Sequence, residues 1–299
     1  MSDGDRTLSA REVPLGGVRG LTVHRTLPQR GIPTVGAWCF VDHFGPTDEP
    51  MTVLPHPHTG LQTVTWPLAG EIRHRDSLGS DVVLRPGELN LMTSGDGVSH
   101  SELSVDEVSG MHGLQLWVAL PEGARAGEAA FQHLPDLPVA TGPGWSATVL
   151  VGELAGAVSP ATTFTPIMGA EVRVEPGYAR LPLRDDFEHA ILAVDGPVVI
   201  DGVDVAHREL RYLAPGRSDV GLQVPAGTTL LLIGGEPFDE ELVMWWNFIG
   251  RSHEDIELAR EDWQRAALRF GHVDGHGGVV IPAPPLPQTR LTPRRRTAT

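Results

Sequence analysis

Turns come too often along this chain for long helices to form. It carries 35 glycines and 26 prolines in 299 residues, about a fifth of the chain where ordinary usage gives about an eighth. Proline interrupts helices and central strands, and glycine supplies the left-handed conformations of tight turns. Between these breaks lie short apolar, β-branched runs. Gln62–Leu68 leads into Ala69-Gly70-Glu71, and Asp81–Leu84 stops at Arg85-Pro86-Gly87. Leu89–Met92 closes on Ser94-Gly95-Asp96-Gly97, and Leu114–Val118 follows. Short strands at close spacing with turn signals between them predict an all-β sandwich or barrel.

The second half repeats this grammar. Ala170–Glu175 runs into Pro176-Gly177, His189–Val194 into Asp195-Gly196, and Leu210–Leu213 into Ala214-Pro215-Gly216, before Thr228–Ile233 closes the module. The pattern reads as a degenerate duplication of one β-barrel unit, with a Pro/Gly-rich boundary around 121–144. Beyond Pro237 comes an apolar closing segment, Leu242–Ile249, whose paired Trp245 and Trp246 read as core. Ser252 is placed to cap a helix, with Asp255 or, better, Glu254 as its partner. Ile256, Ala259, Trp263, Ala266 and Ala267 recur at helical spacing over about 253–269. Residues 1–12 read as polar and loose. Pro282–Thr299, ending in Arg294-Arg295-Arg296, reads as a solvated disordered tail, dispensable from about Gln288 onward.

Charge narrows the function classes. The net charge is −15, and every basic side chain is Arg or His, with no Lys. Such a fold repels phosphate backbones, which argues against direct nucleic-acid binding. The single Cys39, inside the apolar run Ala37–Val41, excludes a disulfide framework and reads as a buried thiol. No stretch approaches the roughly 18 apolar residues of a membrane helix, and no signal-peptide pattern opens the chain, so a cytoplasmic location without membrane contact is expected.

Chemistry concentrates in two short segments. In Leu54-Pro55-His56-Pro57-His58-Thr59-Gly60 the histidines are i and i+2, and a strand would turn both imidazoles to one face. In Ser94-Gly95-Asp96-Gly97-Val98-Ser99-His100-Ser101-Glu102 a glycine-rich turn precedes a second i, i+2 pair, His100 and Glu102. Alone, a His-x-His pair is weak. Two such pairs, separated by strands and turns that can bring them together, make a plausible ligand set. Three imidazoles and one carboxylate leave open positions on a divalent transition metal; the set suits Fe(II) and could also hold Mn, Co, Ni, Cu or Zn. Alternation turns Ser99 and Ser101 away from that face. His43 reads as hydrogen-bonded to neighbouring Asp42, His112 as a loop or strand-start residue, and His189 as structural. His272 and His276 read as accidental neighbours in a glycine-rich loop.

The residues resemble a known family. FVDHFGP (Phe40–Pro46), HPHTGLQTVTW (His56–Trp66), RPGELNLMTSGDGVSHSE (Arg85–Glu102), GLQLWVALP (Gly113–Pro121) and WWNFIGRSHEDI (Trp245–Ile256) are similar, in order, to pirins, members of the cupin superfamily. The general cupin pattern places a Glu four residues after the second His, where this chain has Gln62. The resemblance implies a bicupin of two jelly-roll-like barrels. A metal-holding barrel would span 1–125 and a metal-free one 126–240. The closing segment, amphipathic helix and Pro/Arg-rich tail would fill 241–299. It also implies Fe(II) on His56, His58, His100 and Glu102, and cleavage of flavonol-like substrates with O₂, as in quercetin 2,3-dioxygenase. Glu102 would double as the catalytic proton acceptor, and Gln62, Met92, Gln115 and Trp117 are candidates for the substrate wall. The same resemblance leaves open a metal- or redox-sensitive regulatory protein acting on a transcription factor or metabolic enzyme as its partner.

Overall fold

The computed structural model describes residues 4–14, 21–105 and 110–294. The expected strands form, and they assemble twice into the same pattern. In the first barrel a seven-stranded sheet takes the order Ala130–Leu134, Leu89–Thr93, Leu61–Ala69, Met111–Ala119, Trp38–Thr47, Thr22–Leu27, Arg11–Pro14. A four-stranded sheet, Thr52–His58, Val98–Ser104, Ile72–Asp76, Asp81–Leu84, faces it. The second barrel repeats seven strands (Arg6–Leu8, Leu210–Leu213, Glu188–Ala193, Thr228–Gly235, Ile167–Val174, Trp145–Val151, Val139–Gly142) over four (Gly177–Pro182, Asp219–Val224, Val198–Ile200, Val203–Val205). Each barrel is a jelly-roll-like cupin, so the chain is an all-β bicupin.

The two seven-stranded sheets share one core. Trp38, Val64, Trp66, Leu89, Leu114 and Leu116 of the first barrel pack with Leu150, Ile167, Leu192, Leu210, Leu231 and Ile233 of the second. Polar bonds cross this seam and satisfy groups that burial would otherwise penalise. The Trp38 indole Nε1 donates to Met168 O at 3.0 Å and Gly234 O at 3.2 Å, and the Trp66 Nε1 donates to Glu171 Oε2 at 2.7 Å. Gly36 N donates to Glu188 Oε1 at 2.6 Å, while Tyr212 Oη donates to Glu188 Oε2 at 2.7 Å. The chains approach so closely that a Cβ on Gly36, at φ 52°, would lie 2.6 Å from Gly235 Cα.

Residues 4–12 are ordered by pairing, against the expectation of a loose 1–12, of which residues 1–3 lie outside the described residues. Arg6–Leu8 is hydrogen-bonded to Leu210–Tyr212 in the second barrel, and Arg11–Pro14 to Thr22–Arg25 in the first. Asp5 anchors the crossing, accepting from Arg217 Nη2 at 2.6 Å and from Ala214 N at 3.0 Å.

The helix forms, but shorter than its apolar spacing predicts. It covers His253–Gln264, and Ala266 at φ 52° ends it before a 3₁₀ turn, Leu268–Phe270. Ser252 caps it in a full capping box with Asp255, three residues on. Glu254 pairs instead with Arg290 at 2.6 Å, so the preference for Glu254 does not hold. Ile256, Ala259 and Trp263 are its buried residues.

The tail also differs from expectation. Ala283 is buried, and Leu286 and Leu291 pack with Trp263, Phe270 and the closing segment. Ile281 N donates to Pro55 O at 2.8 Å, Arg260 Nε to Pro284 O at 2.7 Å and Arg294 N to Leu242 O at 3.2 Å. Proline-rich sequence here lies as an extended strap whose few apolar side chains have a groove to fill. Residues 295–299 lie outside the described residues. Deleting the chain after Pro287 should therefore lower the thermal midpoint measurably. An unchanged midpoint would mean that the Leu291 contact contributes nothing.

Cys39 is fully buried, and burial pushes its thiol pKa up. Three histidines outside the site, His43, His112 and His189, are also buried. His43 does not pair with Asp42, whose carboxylate takes both nitrogens of Arg25 at 2.7 Å; it meets His112 instead, Nε2 to Nε2 at 2.7 Å. Burial first, then the charges of His112 and Arg208, hold His43 down at about 3, and burial holds His189 at about 4. Both values lie below the ordinary 6.5, so these groups favour folding in their neutral form. Their contribution should be full above pH 6.5 and lost as pH falls through about 4 and 3. Denaturant midpoints across pH 7 to 3 check this, with a flatter dependence expected in His189→Phe.

Candidate metal centre

His56 and His58 stand on Thr52–His58, and His100 and Glu102 on Val98–Ser104. These strands are direct antiparallel neighbours, with His100 opposite His56 and Val98 opposite His58. Gly60, at φ 72°, turns the chain out of the first pair where a Cβ would lie 2.3 Å from Ile249 O. Cross-strand pairing and alternation thus deliver all four side chains to one inner face.

All four are buried. Single nitrogens of His56, His58 and His100 lie within 4.8 Å of one another, and Glu102 groups by the same measure with His100 and His74. His58 Nε2 and His100 Nε2 are 3.0 Å apart. Two lone pairs at that distance repel unless a proton or a cation lies between them. His56 Nδ1 is 2.9 Å from Leu54 O. It can only donate there, which leaves its Nε2 lone pair as a ligand atom. Burial holds the His56 pKa at about 4, and burial and then the charge of His56 hold His58 and His100 well below their ordinary value. Neutral imidazoles with aimed lone pairs are what a metal takes without first removing protons. Burial raises Glu102, opposed by His74 and by Thr65, whose Oγ1 lies 2.9 Å from Glu102 Oε1. Thr65 Oγ1 is also 3.1 Å from Gln115 Oε1, and its one proton serves one acceptor at a time.

Beside them on the same face stands a third i, i+2 pair, His74 and Asp76 on Ile72–Asp76, opposite Glu102 and His100 respectively. Asp76 Oδ2 is 3.1 Å from His74 Nε2, and its Oδ1 accepts from Leu78 N and Ser80 N, each at 2.9 Å. Burial pushes Asp76 up, but the His74 bond and the Ser80 amide outweigh it and its pKa falls below the ordinary range. His74 stacks on Phe131, with centroids 4.4 Å apart, and its Nδ1 lies 3.4 Å from His100 Nδ1. One proton arrangement satisfies the row. A carboxylate only accepts, so His74 donates from Nε2, accepts at Nδ1 from His100 Nδ1–H, and leaves the His100 Nε2 lone pair facing the cavity.

The four side chains form the floor of a cavity of about 500 Å³. Phe40 and Trp117, stacked with centroids 4.0 Å apart, make one wall, and Met244, Trp245 and Trp246 another. Arg11, Arg25, Pro282, Pro284 and Arg294 complete the rim.

Residues 20–118 match the Pirin family, and residues 169–271 match the Pirin C-terminal cupin domain. A pirin-like protein of Caulobacter vibrioides is 34% identical over 296 residues, covering 95% of this chain and 99% of the relative. The chain belongs to the pirin family. A Pseudomonas aeruginosa protein, whose name carries quercetin 2,3-dioxygenase as a provisional assignment, is 43% identical over 285 residues, 94% of this chain and 90% of that one. The crystal structure titled quercetin 2,3-dioxygenase from Acinetobacter baumannii superposes with a TM-score of 0.91 at 39% identity, over 96% of this chain and 97% of that one.

Of the substrate-wall candidates in this pirin, Gln115 and Trp117 line the cavity. Gln62 does not: its Nε2 donates to Thr93 Oγ1 at 2.9 Å and Thr162 O at 3.0 Å, away from the metal face. Met92 does not either; buried on Leu89–Thr93, it shares the Trp117 face but lies two strands away. Trp245 and Trp246, expected in the core, are half-buried cavity wall, because a tight turn at Trp246 (φ 51°) swings the pair over the opening. Ser99 and Ser101 point outward as alternation requires, Ser99 Oγ donating to Phe270 O at 2.7 Å. Ser101 Oγ meets His276 Nε2 at 2.9 Å, so His276 is a structural partner and no accident. Sequence reasoning missed His74 and Asp76, although the same i, i+2 test applied to Ile72–Asp76 finds them. In the second barrel His189 stands without a ligand cluster, and no described residues there group as potential ligands.

Proposed function

We propose that this pirin is a mononuclear metal dioxygenase of the quercetin 2,3-dioxygenase type, with Fe(II) held by His56, His58, His100 and Glu102. The observation that carries this reading is the convergence of three lone-pair-bearing imidazoles and one carboxylate on the floor of an aromatic-walled cavity. The cavity size is ordinary for a site that takes a small organic molecule. Bound there, a divalent metal would lower the pKa of a substrate hydroxyl and bring O₂ and substrate together. The remaining work falls to the chain's own side chains. Phe40 and Trp117 present a flat apolar face to an aromatic substrate and exclude water. Thr65 holds Glu102 through Oε1, which leaves Oε2 as the oxygen that would ligate the metal or take the substrate hydroxyl proton. The cytoplasm is the proposed location; among the described residues no helix is long and apolar enough to cross a membrane.

His74 and Asp76 serve this site from the neighbouring strand, by fixing the tautomer of His100. His74→Phe keeps the ring stacked on Phe131 but removes the acceptor for His100 Nδ1–H. It should lower metal affinity about 10–100-fold. Competition with a chelator of known affinity measures this.

The function itself is tested by anaerobic purification, metal analysis and O₂ uptake against a flavonol panel. One metal per chain and one O₂ consumed per flavonol cleaved are expected. Fully loaded, folded protein with no turnover across the panel would favour a metal-sensing regulatory role over catalysis.

A further inference from the structure

In a chain of net charge −15, the cavity mouth is basic. Arg11, Arg25 and Arg294 line it, and Glu102, on the floor, is the one acidic side chain among the lining residues. Arg25 is neutralised by the bidentate pair with Asp42 and lies over the Phe40 ring at 4.1 Å. Arg11 is the direct cross-strand partner of Arg25, a juxtaposition of like charges that destabilises a sheet. The Arg11 guanidinium donates to Pro28 O at 3.1 Å, and it has no carboxylate partner among the described residues. Arg294, delivered by the C-terminal strap, likewise lacks one among the described residues. Burial and then the charges of Arg11 and Arg25 press its pKa below the ordinary arginine value, so the three cations feel one another. Most other arginines here sit on a carboxylate, as Arg73, Arg125, Arg217 and Arg251 do. Two uncompensated guanidiniums at the mouth of an aromatic cavity are a cost to the fold that a bound anion would remove.

We propose that the cavity takes a planar aromatic or enolic compound bearing a carboxylate at the end away from the His/Glu floor, with Arg11 and Arg294 as the carboxylate subsite. This rests on reading the cavity as the substrate site, and it narrows the substrate class from neutral flavonols to acidic ones. Both guanidiniums reach in from segments outside the barrel strands that carry the floor: one from the N-terminal edge strand, one from the strap. The substrate end is therefore recognised independently of the metal ligands.

The test is binding without turnover. Full-length, metal-loaded protein under argon is titrated calorimetrically with 3-hydroxyflavone and with its 4′-carboxylate, at low and high salt. The carboxylate should bind at least about tenfold more tightly at low salt, and the advantage should shrink as salt rises. Arg11→Gln combined with Arg294→Gln should abolish the advantage while leaving 3-hydroxyflavone affinity within about twofold of wild type. Neither side chain belongs to the core, so folding should survive, as an unchanged thermal midpoint would verify. Equal affinity for the two probes, or an advantage that persists in the double variant, overturns the proposal alone. Binding of neither probe overturns it together with the substrate-cavity reading beneath it.

Discussion

Glu102→Gln should cut flavonol cleavage per bound metal ion about 10²–10⁴-fold, the usual cost of losing a general base. Gln keeps the shape and one oxygen donor, and it still accepts from Thr65, but it carries no negative charge and takes no proton. The loss should therefore exceed what reduced metal content explains, which is why turnover must be normalised to bound metal. Glu102 is buried between Thr65 and the His74–His100 pair. A neutral amide there removes an uncompensated buried carboxylate, so folding should not suffer. Turnover that persists equally per metal ion would leave the enzyme standing and remove Glu102 as its base. Complete loss of metal would make it a ligand whose second role must be tested at high metal concentration.

Trp38→Ala should destabilise the whole molecule by about 3–5 kcal/mol. Trp38 is fully buried in the seam between the barrels, with a Cβ on Gly169 able to come within 2.9 Å of its ring. Truncation leaves a cavity in the shared core and strips Met168 O and Gly234 O of a donor. Because the lost contacts belong to both barrels, urea unfolding should remain a single transition with a lower midpoint. Two separated transitions, with only one of them moved, would show that the barrels unfold independently and that the seam does not couple them.

The strands and the two His/Glu pairs were legible because each depends on local periodicity. An i, i+2 spacing fixes a shared face wherever a strand forms, and His56, His58, His100 and Glu102 needed only that. The all-β architecture followed from turn density for the same reason. What the sequence could not show depends on partners far along the chain. The Arg6–Leu8 and 281–294 segments have no periodicity of their own, and each is ordered by a complementary edge or groove on another element. Trp245 and Trp246 read as core by composition, yet a reversal of the backbone decides which side of the wall they occupy. His43 stood beside a carboxylate in sequence, but in a strand adjacent residues face opposite ways, so it met His112 while Asp42 met Arg25. Gln62 lies on the face of its strand opposite to Thr63 and Thr65, and Met92 shares the Trp117 face but stands two strands away from it, which the one-dimensional reading of proximity does not resolve.

The first strand of the chain completes the second barrel. Arg6–Leu8 covers the outer edge of Leu210–Leu213, a row of peptide groups that would otherwise be open to any extended segment in reach. The second half of the molecule, produced by itself or exposed by proteolysis near residue 9, would carry a raw sheet margin with the sequence Leu-Arg-Tyr-Leu. Its fate would be recruitment of a neighbour's strand. Arg6–Leu8, about two hundred residues away along the chain from the edge it covers, thus acts as the clasp that keeps finished copies from joining edge to edge.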